Sequence, residues 1–172
     1  MIANLTVITD NLDYLLWGRM AQGEPGGVLL TLLMAAGAAV LALVGGVLLA
    51  GLAWRFDGIV RRLVFIWAEF IRGIPLIFVI FWLYFLLPII TGSDLPGALT
   101  VTLALAWFTS AAVMHTTLAG LQALPSGQSE AAVAGGLNAW QILRLVLLPQ
   151  AMRNVFPSYM GLFIALLKDT SL

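Results

Sequence analysis

Few residues in this sequence are able to do chemistry, and they are spread thinly. The acidic side chains are Asp10, Asp13, Glu24, Asp57, Glu69, Asp94, Glu130 and Asp169. The basic ones are Arg19, Arg55, Arg61, Arg62, Arg72, Arg144, Arg153 and Lys168, and His115 is the single histidine. No two carboxylates are spaced for general acid–base work, no nucleophile stands beside a base, no phosphate-binding loop is present, and His115 has no companions with metal-ligand spacing. With no cysteine, thiol chemistry, Cys-ligated metals and disulfides are excluded. The pattern therefore points to no enzyme, no metal and no cofactor bound by this chain. What stands out is where the remaining polar groups fall. His115 lies alone in a long apolar run, and an ionisable residue in such a run is a functional candidate by default. The alternative is that it satisfies itself against a carbonyl of a neighbouring helix. Glu69 and Arg72 are three apart and can pair on one helix face, which reads as a structural pair.

The elements that must hold these groups follow from hydropathy. Of 172 residues, 62% are apolar and 9% charged, with a mean hydropathy of +1.04. A soluble domain has about 45–50% and about 25%. The excess is too large for one water-soluble core and indicates an all-α integral membrane protein; a disordered chain, a nucleic-acid-binding domain and a disulfide scaffold are excluded. The net charge is zero, so no electrostatic partner is implied. No charge occurs between Glu24 and Arg55, only Asp94 between Arg72 and Glu130, and none between Arg153 and Lys168. At about 20 apolar residues per crossing, these gaps predict four transmembrane helices at about 27–53, 62–89, 97–123 and 156–172. The segment Thr91-Gly92-Ser93-Asp94-Leu95-Pro96-Gly97 reads as the turn between the second and third. Residues 4–18, with Asp10 and Asp13 ahead of the apolar run, read as a short amphipathic piece on the membrane surface rather than a signal peptide. The arginines gather in two loops, Arg55, Arg61 and Arg62 in one and Arg144 and Arg153 in the other. The positive-inside rule puts both loops in the cytoplasm and the N-terminus outside. Pro75 lies inside an apolar run and is expected to kink helix two. Ala38, Ala42, Gly46 and Ala50 make a four-spaced stripe along which a second helix can approach, unless they only reflect the surplus of small residues in membrane helices.

The loop 125–155 is unusual. Pro125-Ser126-Gly127-Gln128-Ser129 stops helix three, Ala131 to Ala134 favour a short helix, and Gly135-Gly136 end it. Asn138 and Gln141 have the spacing of a capping box and open a second short helix, Ala139 to about Leu148, which Pro149 stops. Ile142, Leu145 and Val146 give it an apolar face. Two short projecting helices make a shape able to dock into a groove of a partner.

The run Glu130-Ala131-Ala132, three residues, Gly136, nine residues, then Val146-x-Leu148-Pro149 resembles the EAA loop of importer permeases of the ATP-binding-cassette (ABC) class, departing only in Val146 for Ile. Gly127-Gln128-Ser129-Glu130-Ala131-Ala132 and Leu148-Pro149-Gln150-Ala151-Met152-Arg153 resemble the flanks found in the polar amino acid branch. Arg72-Gly73-Ile74-Pro75-Leu76 resembles its R-G-T-P-L in helix two, and Lys168-Asp169-Thr170-Ser171-Leu172 its K-D-T-S-L. Within that branch the sequence resembles the glutamate/aspartate-type permeases. The first 60 residues match only in hydropathy.

This resemblance implies a type I ABC importer permease fold in the cell inner membrane. Two permease subunits would form the solute path, an ATPase dimer holding ATP and Mg would drive it, and an extracytoplasmic binding protein would deliver an amino acid. Glu130, Ala131, Ala132, Gly136, Leu148 and Pro149 would form the coupling loop, with Glu130 the charged contact, Gly136 the tight turn and Pro149 the end of the second short helix. Without a partner, the same loop would be a re-entrant or capping segment. Lys168, Asp169, Thr170 and Ser171 would line the solute path, Asp169 taking an ammonium and Lys168 a carboxylate; otherwise the two pair internally and only lower the cost of burial. The family's third helix usually reads A-Y-x-x-E-x-x-R-G-G; here His115 stands at the Glu and Leu118 at the Arg. The family also has a fifth helix, which this chain is expected to lack. The competing readings are a membrane enzyme, which no constellation supports, and a membrane assembly or structural subunit without a transport path of its own.

Overall fold

The computed structural model describes residues 9, 11–19, 23–92 and 95–171. Helix α1, Leu12–Trp17, leads into a two-residue antiparallel pairing of Gly18–Arg19 with Glu24–Pro25. Then follow α2 (Gly27–Arg55), α3 (Ile59–Gly73), α4 (Leu76–Thr91), α5 (Gly97–Gln122), α6 (Ser126–Ala134) and α7 (Ala139–Gln141). A π-helical stretch, Ile142–Leu147, joins α7 without a break to α8 (Leu148–Asp169). Of the amphipathic segment expected at 4–18, residues 4–8 and 10 lie outside the described residues; the described part is the exposed helix α1. Ser93 and Asp94 of the outer turn, and Leu172, also lie outside them.

The bundle is held by a seam of small residues. Ala38, Ala42 and Ala50 are wholly buried on α2, and Gly46 is buried with them. A Cβ on Gly46 would sit 2.6 Å from the Val113 side chain and 2.7 Å from the Ser110 carbonyl oxygen, so only glycine allows this approach. Gly37 faces Thr102, Gly45 faces Ser110 and Gly46 faces Val113, so α2 and α5 run parallel. On the other side of α5, Gly120 meets Ala151 and Val155, and the buried Thr117 meets Tyr159, so α8 runs antiparallel. Thr117 spends its hydroxyl proton on the Val113 carbonyl (2.7 Å), so the Tyr159 hydroxyl donates to Thr117 Oγ1, also at 2.7 Å. Many large apolar side chains point outward, Leu33, Val40, Leu48, Phe70, Phe85 and Ile89 being more than half exposed, while Leu105, Met114 and Leu166 fill the interior. Where the surroundings are hydrocarbon, burial of large apolar groups gains nothing, and close packing of small ones sets the core.

The kink expected at Pro75 in helix two is present and large, dividing it into α3 and α4, bent by 99° at Ile74–Pro75. Pro75 cannot donate to the helix and its ring would strike the carbonyl of Ile71, and it forces Ile74 into an extended conformation (φ −100°, ψ 133°). The chain stops at Gly73 and restarts with Pro75 as the N-cap of α4. The last helix does not begin near 156, nor does Pro149 stop the short helix before it. The π-helical turn shifts the hydrogen-bond register so that the Leu148 amide donates to the Leu143 carbonyl, and Pro149 falls in the first turn of α8, where its missing N–H costs least. By length and apolarity α2 and α5 qualify as membrane spans, and α3 with α4 as one more if the bent pair is a single crossing. Helix α8 does not, because Gln150, Arg153 and Asn154 in its first turns, with Pro157 after them, keep it too polar along its length.

Candidate functional site

The loop end of the bundle is the most specifically built region. Helix α6 closes with a Schellman motif: the Leu137 amide donates to the Ala132 carbonyl (3.1 Å) and the Gly136 amide to the Val133 carbonyl (2.9 Å). Gly136 has φ +80°, a left-handed conformation that favours glycine. Asn138 and Gln141 form a reciprocal capping box, the Asn138 amide donating to Gln141 Oε1 at 2.8 Å and the Gln141 amide to Asn138 Oδ1 at 3.1 Å. Ala132 is buried and roots α6 in a cluster with Leu121, Ile142, Leu143, Leu147 and Ala151. Its neighbours Glu130, Ala131, Val133 and Ala134 are exposed. The Glu-Ala-Ala triplet therefore divides: Glu130 and Ala131 are presented to the outside, and Ala132 is the anchor. Leu148 is half-buried and Pro149 exposed, both in the first turn of α8 rather than at the tip of the loop.

One contact here was not visible in the sequence. Gln150 Nε2 donates to the Val146 carbonyl at 2.8 Å, within the turn where Pro149 brings no N–H, and it also reaches Gln128 Oε1 at 3.3 Å. The glutamines of the two flanking motifs thus tie α6 to the start of α8. Both belong to the motifs that flank the loop, yet nothing in their 22-residue separation says that they touch.

Deeper in the bundle, His115 does not stand alone. Its Nε2 lies 3.2 Å from Glu69 Oε1 on α3, without the alignment of a hydrogen bond, and the atom is otherwise buried without a partner. Phe65 packs edge-on to the imidazole, with centroids 5.4 Å apart. Glu69 is therefore turned to His115 and makes no ion pair with Arg72 among the described residues. The pairing expected from their three-residue spacing is overridden because the cross-helix partner lies closer. Where the family pattern has a Glu on helix three, a Glu arrives instead from α3. Arg72 and Gly73 are exposed at the end of α3, and Pro75 is exposed at the break.

At the other end, Lys168, Thr170 and Ser171 line an open cavity of about 690 Å³ together with Leu15 of α1 and the first turns of α2. Lys168 is exposed, Asp169 is half-buried and outside that lining, and no Lys168–Asp169 ion pair is found among the described residues. Thr170 and Ser171 turn their hydroxyls back to the carbonyls of Leu167 and Lys168, both at 2.6 Å. Lysine alone of the expected pair faces the cavity.

Comparison with known proteins agrees with this layout. The family described as binding-protein-dependent transport system inner membrane component matches residues 42–172. The inner membrane amino-acid ABC transporter permease protein YhdY of Escherichia coli (strain K12) is 42% identical over 156 residues, covering 90% of this chain and 42% of that protein. The glutamate/glutamine/aspartate/asparagine transport system permease protein BztC of Rhodobacter capsulatus is 41% identical over 153 residues, 86% of this chain and 34% of that one. The glutamate/aspartate import permease protein GltK of Escherichia coli O157:H7 is 30% identical over 166 residues, 91% of this chain and 74% of that one. This chain thus spans less than half the length of the first two relatives. A crystal structure of an amino acid ABC transporter with histidines superposes with a TM-score of 0.70 at 29% identity, over 84% of this chain and 67% of that one. The chain belongs to the family of binding-protein-dependent transport system inner membrane components and has their type I permease fold.

Proposed function

We propose that this chain is the transmembrane subunit of an ATP-driven amino acid importer, forming a solute path with a second permease subunit and receiving the work of a cytoplasmic ATPase dimer through α6 and α7. ATP and Mg²⁺ belong to that ATPase; this chain supplies no catalytic group and holds no cofactor. An extracytoplasmic binding protein delivers the solute. The membrane is the cell inner membrane, with the arginine-bearing end in the cytoplasm and the N-terminus outside. The observation that carries the reading is the division of the Glu-Ala-Ala triplet. Glu130 and Ala131 are exposed on a slim helix whose root, Ala132, is packed into the bundle and whose end is fixed by the Gly136 turn. A rigid, thin, singly charged projection suits a cleft that must move the bundle when it closes.

Relatives named for glutamate, aspartate and their amides suggest an acidic or amide amino acid as solute. Lys168, facing its cavity with Thr170 and Ser171, is suited to the solute carboxylate. The test is ATP-dependent uptake of labelled glutamate, aspartate and glutamine by proteoliposomes containing the chain with its ATPase and binding protein. Glu130→Lys is expected to abolish uptake without lowering the amount of chain in the bilayer. Uptake unchanged by Glu130→Lys would refute the coupling role.

A further inference from the structure

Two cavities meet at the arginine-bearing end of α2. One, about 460 Å³, is an apolar slot between Val47, Leu48 and Leu52 of α2 and Leu143 and Leu148 of the helix that leads into α8. The other, about 430 Å³, is lined by Arg55 and Arg144 with Asn138 and Gln141. Trp140 and Arg144 line both, so the slot and the basic chamber adjoin. No carboxylate lines either cavity among the described residues, and Asp57, two positions after Arg55, is engaged by Arg61 at 3.8 Å. Arg55 stacks over Phe56 at 5.2 Å, and Phe56 meets Trp140 edge-on at 6.2 Å, which holds one guanidinium beside the indole. Two unbalanced guanidiniums with polar amides around them are suited to an anion with several oxygens, and guanidinium binds phosphate in bidentate fashion. The slot lies at the end of the exposed stripe Val40, Val44 and Leu48 on α2, a surface that meets acyl chains if α2 crosses the bilayer.

We propose that this composite cavity is a binding site for an anionic phospholipid, its phosphate held between Arg55 and Arg144 and one acyl chain lying in the slot along Leu48. Basic pockets between helices at the cytoplasmic face are the usual seats of such headgroups. A free phosphate would use the basic chamber and have no need of the slot. The site does not depend on which solute is carried, only on α2 spanning the membrane with Arg55 at its cytoplasmic end. Because Trp140 lies within the Asn138–Gln141 capping box and Arg144 three residues after it, the lipid would brace the second half of the loop against α2.

The test is lipid retention. The full chain is incorporated into nanodiscs of equal phosphatidylglycerol and phosphatidylcholine, extracted into mild detergent, washed, and its bound lipid counted by mass spectrometry. The wild-type chain is expected to keep about one phosphatidylglycerol, enriched about tenfold or more over phosphatidylcholine, the scale of two cation–headgroup contacts. R55Q/R144Q is expected to lose that enrichment. Leu48→Trp fills the slot without touching the charge and is expected to lower retention as well, which keeps the idea testable should the double variant fail to fold. Enrichment unchanged in R55Q/R144Q, or equal retention of the two lipids by the wild-type chain, would overturn the site. Retention untouched by Leu48→Trp would leave the arginines to a soluble phosphate and overturn it too. Loss of ATPase binding with lipid enrichment intact in R55Q/R144Q would assign the arginines to a protein contact instead, and would also overturn it.

Discussion

The α2–α5 seam and the loop end of the bundle are made from the same small residues and use them in opposite ways. In the seam, Ala38, Ala42, Gly46 and Ala50 are buried against α5, and their smallness lets two helices approach. In the loop, Ala131, Ala134 and Gly136 are exposed, and within α6 only Ala132 is packed inward. Small residues in the seam are matched by a partner helix within the chain. In the loop the same slimness faces outward, which is the shape another protein can enclose closely. The comparison teaches that a small side chain marks a place of close approach, and that burial decides whether the approaching surface is this chain's own helix or lies outside it. It also separates two kinds of damage: seam substitutions should cost stability, and loop substitutions should cost coupling.

The largest effect should come from Gly46→Leu. Its Cβ would meet the Val113 side chain at 2.6 Å and the Ser110 carbonyl at 2.7 Å, and the backbone of α5 cannot yield without opening the seam. A loss of about 3 kcal/mol or more is expected from overpacking of this kind, seen as loss of monodisperse chain on size exclusion. Normal yield and melting would mean that the seam is looser than described.

Next is Gly136→Val. Nothing lies within 4 Å of a Cβ there, but φ is +80°, so the cost is conformational, about 1–2 kcal/mol, and confined to the turn. Solute uptake should fall while the melting temperature of the bundle stays within error. A large drop in melting temperature would mean that the turn is part of the core and would blur the comparison.

Asn138→Ala removes half of the capping box at a cost of about 1 kcal/mol. Amide exchange at Ala139–Gln141 should quicken several-fold, with exchange in α5 unchanged. The smallest effect belongs to Tyr159→Phe, which removes the cross-helix bond to Thr117 and should cost about 0.6 kcal/mol, measured by a double-mutant cycle with Thr117→Val. A coupling energy several times larger would move polar contacts ahead of packing as the glue of the bundle.

Much of this was legible in the sequence wherever the signal is local. The α2 span, the α5 span, the stripe on α2 and the Asn138–Gln141 box are each written within a few residues, in hydropathy or in spacing along one helix. The disruption at Pro75 was legible too, but not its 99° size, because proline sets where a helix ends and packing sets where the next one points. The rule that proline stops a helix failed at Pro149. There the π-helical turn places it where no amide is needed, and Gln150 supplies a donor to Val146 from its side chain. The start of α8 was missed for the same reason. Three-residue spacing makes Arg72 the visible partner for Glu69 along the chain, whereas His115, 3.2 Å away on another helix, is not visible there. The same limit hid the meeting of Gln128 and Gln150.

The measurement that bears most directly on the account is capture of the partner ATPase by the purified chain in mild detergent, comparing the unaltered chain with Glu130→Lys and with Gly136→Val. The account predicts that the unaltered chain recovers an ATPase, that Glu130→Lys loses it, and that Gly136→Val loses most of it, while all three chains elute alike. Equal recovery by all three would contradict it, since the exposed face of α6 would then have no part in holding the motor.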